Sequence, residues 1–385
     1  MKKKVLLRAP ALSISGYGTH ARQIFRYLKS KDVDLSVDLL SWGITSWHVN
    51  PDNENGLVGE IMKRSGTLNG KPDVVVSLQL PNEWQKVDDC VNVGMSAIVE
   101  SDKCNEKWVD ACNSMSRVIV PSEFAKKVLS SSGNLTGDVR VVGESFPDEV
   151  LTCNDKLNLS EIQTKTNLLV VGQLTGMKPD VDRKNLFYTI KWFCEEFKNN
   201  KDVGLIIKSN LGTNCSIHRA QLENIFKTLL SEVRSDTFPR VHLINGEMTT
   251  NEIISMYRSN NVKALLSLTR GEGFGLPLLE AAACNLPVIC TDWSGHLDFM
   301  RLGKYTAIDY DLILIPEQRI DNEIFVKGTK WAFANEKDAK KKMRKFVDSQ
   351  EVPKQWALNL GEKIREKYSF ESISKQYDNE LGDLL

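Results

Sequence analysis

The chain has 385 residues, with 50 Lys+Arg against 50 Asp+Glu, 41 % hydrophobic and 26 % charged. That balance supplies a sizeable core and leaves no overall basic field to draw the chain to nucleic acid or an anionic membrane, although a local patch is compatible with it. The length suggests two domains, and no apolar run approaches the roughly 20 residues that span a bilayer.

The eight cysteines form no Cys-x-x-Cys and no zinc spacing with histidine, so a reducing, cytoplasmic setting is expected. Lys2-Lys3-Lys4 before Val5-Leu6-Leu7 imitates the start of a signal peptide, but Arg8 and Pro10 interrupt the apolar stretch at once. An edge-charged first strand is the better reading. A glycine-bearing loop, Gly16-Tyr17-Gly18-Thr19-His20-Ala21, and a helix with Ile24, Phe25, Tyr27 and Leu28 on one side follow. Strand, glycine loop and helix open an α/β domain. Gly16-x-Gly18-x-x-Ala21 also matches a loosened dinucleotide fingerprint, but it starts some way beyond the strand and no clean acidic residue closes a second strand.

Val33 to Leu40, Val74 to Leu78 and Val91 to Val99 read as further strands, the last running into Glu100. A carboxylate at the carboxyl end of such a strand faces the ligand crevice. Trp42, Trp47 and Trp84 fall in the connecting loops, where they either line an acceptor site or cap the core. A helix over Trp108 to Met115, a strand over Arg117 to Val120 and a helix N-capped by Ser122 complete the first half. Composition turns polar around Pro147 to Gln163, the expected linker.

A second α/β pattern opens with the apolar run from Asn167 to Gly172 and a helix entered through Arg183-Lys184-Asn185. A basic pair at a helix N-terminus opposes the helix dipole, which suggests an anion there. Val203 to Ile207 is a buried-type strand ending at Lys208, a second candidate for phosphate contact. Val241 to Ile244 is a strand and Asn251 to Asn260 a helix. The organising stretch comes next. A strand over Val262 to Leu268 runs into Thr269-Arg270-Gly271-Glu272-Gly273-Phe274-Gly275-Leu276-Pro277, and strong helix formers follow from Leu278 to Cys284. Three glycines in five residues allow close backbone approach. Pro277 suits a first helical turn, and the helix N-terminus favours an anion. Glu272 in the loop and Glu280 one turn into the helix are placed to accept hydrogen bonds from sugar hydroxyls.

Glu272 and Glu280, with Gly-Phe-Gly-Leu-Pro between them and the Leu286 to His296 strand and loop after, resemble the signature of retaining nucleotide-sugar glycosyltransferases of family 4. The resemblance implies the GT-B fold: two Rossmann-like doubly wound domains facing across a cleft, with C-terminal helices crossing back. Boundaries are expected at 1–155 for the acceptor-side domain, 156–350 for the donor domain and 351–385 for the crossing helices. The implied activity moves a sugar from a nucleotide-diphosphate sugar to an acceptor hydroxyl. The resemblance places Glu272, Lys184 and Glu100 at the chemistry, and Gly16, Gly18, Arg183, Lys208, Gly273, Phe274, Gly275, Leu276 and Glu280 around the donor. Gln173 and Glu100 depart from it, standing where the family commonly has Arg and His.

Asp-x-Asp occurs three times, at 32/34, 180/182 and 309/311. One such pair would hold a divalent cation in a transferase of the other main fold, but with cationic side chains available no metal or other cofactor is expected. The acceptor is expected to be a glycan or other hydroxyl-bearing molecule, with nucleic acid left open. Other readings are a GT-B-fold epimerase or phosphorylase, a non-catalytic nucleotide-sugar-binding subunit and an NAD-dependent oxidoreductase.

Overall fold

A computed structural model describes residues 2–213 and 215–385. The chain divides into two compact units, one of residues 1–145, 322–326 and 368–385 and the other of 146–321 and 327–367.

The first unit holds strands β1 (Lys4–Ala9), β2 (Asp34–Leu39), β3 (Val74–Leu78), β4 (Val91–Met95), β5 (Arg117–Val120) and β6 (Val139–Val141). They form one parallel sheet in the order β2-β1-β3-β4-β5-β6. The connecting helices are α1 (Gly16–Lys29), α2 (Leu57–Lys63), α3 (Glu106–Ser114) and α4 (Glu123–Ser132). Strand β4 stops at Met95, short of the Val99 expected from its apolar run. Ser96 Oγ accepts the Ile98 amide at 3.1 Å, and Ile98 turns into the left-handed region with φ 57°. A side-chain-capped turn therefore replaces the end of the strand.

In the second unit, α5 (Glu149–Thr152) lies within the stretch expected as linker. Strands β7 (Thr166–Val171), β8 (Val203–Lys208), β9 (Arg240–Ile244), β10 (Val262–Ser267), β11 (Val288–Thr291) and β12 (Thr306–Ile308) follow. They form a second parallel sheet, ordered β12-β11-β10-β7-β8-β9. Its helices are α6 (Leu186–Glu196), α7 (Ser216–Val233), α8 (Thr250–Tyr257), α9 (Leu276–Ala283), α10 (Leu297–Met300), α11 (Glu336–Asp348) and α12 (Glu351–Lys367). A two-stranded antiparallel hairpin, β13 (Tyr310–Leu314) with β14 (Lys330–Ala334), stands beside this sheet.

The terminal helices part company. Helix α12 stays with the second unit, where Arg365 Nη1 donates to Ala283 O and Asn285 Oδ1 at 2.7 Å each and so caps the carboxyl end of α9. Helix α13 (Phe370–Leu381) joins the first unit, setting Ile373, Tyr377 and Leu381 into its core at helical spacing. The buried His20 ring pairs with Tyr377 Oη at 3.1 Å. The first stretch of the first unit ends at Ser145, before the expected boundary at 155, and of the expected crossing segment residues 368–385 return to that unit.

Each sheet reverses its winding once, between β1 and β3 in the first and between β7 and β10 in the second. Loops leaving the carboxyl ends of strands on either side of such a reversal diverge and leave a crevice for a ligand. In the second unit those loops are 172–185 and 268–275, which carry Arg183, Lys184 and the glycine stretch.

Candidate functional site

Glu272 is 6 % exposed and is bonded on every side. Lys184 Nζ donates to its two carboxylate oxygens at 2.6 and 2.8 Å, and Thr269 Oγ1 donates to Oε1 at 2.8 Å. Arg183 Nη1 stands 3.4 Å from Oε2 and donates to Gly271 O at 2.6 Å. Burial alone would raise the carboxyl pKa, but the two cations and their hydrogen bonds outweigh it and hold the group at about 2. The main chain is pinned as well, because Ser294 Oγ accepts the Glu272 amide at 2.9 Å and the Gly295 amide donates to Glu272 O at 2.9 Å. Ser294 adopts φ 94°, a strained conformation for a residue with a side chain. A Cβ at Gly295 would overlap the Gly273 carbonyl, so this position needs glycine for close approach.

Gly275 turns the chain into α9 with φ 101°, and Pro277 sits in the first helical turn. Phe274 is buried edge-on against Phe299 at 5.2 Å between centroids, so it anchors the loop and leaves only its backbone to a ligand. Gly273 and Leu276 belong to the same turn at the helix N-terminus, where amides and dipole favour an anion. Glu280 is partly buried and accepts from Tyr257 Oη at 3.3 Å. Desolvation raises its pKa to about 7 despite that hydrogen bond.

Lys208 ends β8 and donates to Gly246 O at 2.5 Å and to Asn210 Oδ1 at 3.3 Å. Burial pulls its ammonium down to about 8. Gln173 is exposed, while the methylene stem of Lys184 lies against Gly172, 3.5 Å from where a Cβ would stand. Asp182 is fully buried, with Oδ1 accepting from Thr175 and Oδ2 from the Leu186 amide at 2.7 Å. That carboxylate caps α6, and its partner Asp180 accepts from Tyr188 Oη at 2.9 Å.

Arg183, Lys184, Glu272, Gly273, Phe274 and Gly275 thus occupy the two loops at one sheet reversal, with Leu276 opening α9 and Glu280 one turn into it. Gly16, Gly18 and Glu100 lie in the first unit. There Ser15 caps α1 by accepting the Gly18 amide at 3.1 Å. A Cβ at Gly18 would overlap the Ser13 carbonyl, so packing accounts for that glycine, whereas Gly16 faces open space. Glu100 is partly exposed beyond the Ser96 turn. Trp42 stacks on Tyr17 with centroids 3.9 Å apart, and Tyr17 Oη meets Ser96 Oγ at 3.0 Å. Trp84 is partly buried, its ring 2.6 Å from where a Gly94 Cβ would be, so it packs against β4 and requires glycine there. Trp47 remains 39 % exposed.

Sequence reasoning gave no role to Thr269, Arg270, Ser294 or Tyr257. The first two stand inside the glycine stretch, where their neighbours were the available signal. Tyr257 offered none, since its pairing with Glu280 depends on how α8 packs beside α9.

Residues 237–360 match the family model of glycosyl transferases group 1. No curated protein matches the chain by sequence. Among solved structures the glycosyltransferase-type fold recurs along the whole chain. A glycosyltransferase of Rickettsia africae superposes with a TM-score of 0.68 at 12 % identity, covering 100 % of this chain and 98 % of that one. Sucrose-phosphate synthase of Thermosynechococcus elongatus gives 0.67 at 13 %, covering 100 % and 99 %. HepE of Anabaena, solved with UDP and glucose, gives 0.65 at 11 %, covering 99 % and 100 %. At these identities the likeness is one of fold, and it establishes the GT-B architecture expected from the Glu272–Glu280 motif. Among the described residues no helix is long and apolar enough to cross a membrane.

Proposed function

We propose that this chain is a retaining glycosyltransferase that moves a hexose from a nucleotide-diphosphate sugar to an acceptor hydroxyl. The observation that carries the reading is the convergence of Lys184, Arg183 and the N-terminus of α9 on Glu272 at a sheet reversal. Breaking a glycosyl–phosphate bond develops negative charge on the departing diphosphate. Lys184, Arg183, Lys208 and the amides from Gly273 to Leu276 are the groups proposed to stabilise it, each such contact supplying about 3 kcal/mol. Because those cations supply the positive charge, the proposed reaction needs no divalent metal. Glu272, ionised at any working pH, would accept hydrogen bonds from donor-sugar hydroxyls, and Glu280 from the ribose. Glu272 is a positioning group in this scheme and not a nucleophile, with attack from the front face of the sugar. Glu100 is assigned to the acceptor side, and the acceptor is proposed to be a glycan or another hydroxyl-bearing molecule. HepE, seen with UDP and glucose and with UDP-glucose, supports the donor class by likeness of fold.

A thermal-shift panel of UDP-, GDP- and ADP-sugars with NAD tests the donor site on wild type and Glu280→Ala. One nucleotide-sugar is expected to raise the melting temperature, and less so in the variant. A response to NAD alone would instead favour the oxidoreductase reading of Gly16–Ala21. Retention is read separately from the anomeric configuration of the product by NMR.

A further inference from the structure

Arg270 is 1 % exposed, yet it is a cation two residues from Glu272. Its guanidinium reaches across to the neighbouring loop, where Nε donates to Asp182 O at 3.1 Å and Nη2 to Pro179 O at 3.1 Å and Asn185 Oδ1 at 3.4 Å. Its backbone adds two ties, the amide to Arg183 O and the carbonyl from the Ala332 amide, each 2.9 Å. The guanidinium carbon lies 4.9 Å from the Phe333 ring centre, 5.1 Å from that of Trp331 and 5.9 Å from that of Tyr188. Among the described residues Nη1 has no hydrogen-bond partner. Aromatic faces are suited to hold such a desolvated cation.

An apolar side chain of similar volume would fill this space without the desolvation cost of a buried charge. The arginine instead supplies a rigid fork that reaches three acceptors on one short segment, 179–185, which ends in Arg183, Lys184 and Asn185. Asn185 returns the tie through Nδ2 to Leu268 O at 3.0 Å. The two loops are therefore fastened to each other by bonds separate from those that Lys184 and Arg183 make to Glu272.

We propose that Arg270 is a positioning residue whose guanidinium locks segment 179–185 to the glycine loop, and so fixes Lys184 and Arg183 where a diphosphate would bind. This inference rests on the donor-site reading of the same loops. Displacing a binding group by about 1 Å is enough to cost orders of magnitude in rate.

The test compares wild type with Arg270→Met, which fills the volume, and Arg270→Lys, which keeps the charge without the fork. Hydrogen exchange is followed by mass spectrometry on peptides covering 175–186, 268–276 and, as a control, 203–208. UDP, GDP and ADP affinities are measured by calorimetry on the folded variants. In Arg270→Met, exchange is expected to rise in the first two segments and to stay unchanged in the control. Affinity for the nucleotide that wild type binds is expected to fall roughly tenfold, with partial recovery in Arg270→Lys. A merely structural role would accelerate exchange in all three segments and leave the affinity of the folded protein unchanged, which would overturn the proposal. Should Arg270→Met fail to fold, Arg270→Lys carries the comparison. Should wild type bind none of the three nucleotides, the donor reading fails, and the exchange pattern alone decides whether the lock exists.

Discussion

Lys184 and Glu272 form a two-pronged ion pair, with Nζ 2.6 and 2.8 Å from the two carboxylate oxygens, and both side chains are largely withdrawn from solvent. Each loop thereby neutralises the other before any ligand arrives. Lys184 would have to share its charge with a diphosphate, and Arg183 stands ready to keep Glu272 compensated.

Removing one partner of a buried pair leaves the other uncompensated and costs about 3–5 kcal/mol. Lys184→Met is expected to fall near the lower end of that range, since Arg183 remains. Urea unfolding at pH 7 measures it. The double variant Lys184→Met with Glu272→Gln should lose less than the sum of the single losses.

The same pair sets an acid dependence. The folded pKa of Glu272, about 2, lies below its ordinary 4.5. Its contribution is therefore complete above about pH 4.5 and disappears as the pH falls towards 2. The stability gap between wild type and Glu272→Gln should close over that window and stay level from pH 5 to 8. A gap that instead changed between pH 6 and 8 would show that another group controls it.

Glu280 works in the opposite sense. Its folded pKa, about 7, lies above the ordinary value, so the folded state holds the proton more tightly. Ionisation costs stability progressively as pH rises from about 4.5 to 7, and the full cost is present above that. Glu280→Gln should gain on wild type as the pH is raised from 5 to 8 in ligand-free protein. Thermal unfolding across that range checks the sign.

The two glycines of the first unit should separate cleanly. Gly18→Ala forces a Cβ into the Ser13 carbonyl and is expected to lose about 2 kcal/mol or more. Gly16→Ala points into open space at the start of α1 and should change stability by less than about 0.5 kcal/mol. Chemical denaturation of both variants tests whether packing explains the Gly-x-Gly spacing.

How much of this was legible depends on the range of the interaction that fixes each feature. Strands such as Val74–Leu78 and Val203–Lys208 are largely apolar and buried on both faces, and their position follows from that local pattern. Helix α7 gave little signal because only Leu222, Phe226 and Leu229 along its 18 residues are buried. Strand β4 was overextended because a local bond, Ser96 Oγ to the Ile98 amide, ends it while the apolar pattern continues. At the site, Glu272, Lys184 and the glycine turn carried recognisable local chemistry. The bonds from Arg270 to 179–185 and from Tyr257 to Glu280 join residues far apart in the chain, and no local pattern announces them.

The proposed independence from metal is checked by turnover in excess EDTA. Activity is expected to persist, because Lys184, Arg183 and Lys208 supply the charge. Loss of activity restored by a divalent cation would reassign that role.

The most direct test of the central claim is release of nucleoside diphosphate from UDP-, GDP- and ADP-sugars, measured on wild type, Glu272→Gln and Lys184→Met. The account predicts that wild type turns over one of these donors and that each variant loses about 100-fold or more, the scale of removing one preorganised charge contact. Release from none of them, or equal release by wild type and both variants, would contradict it.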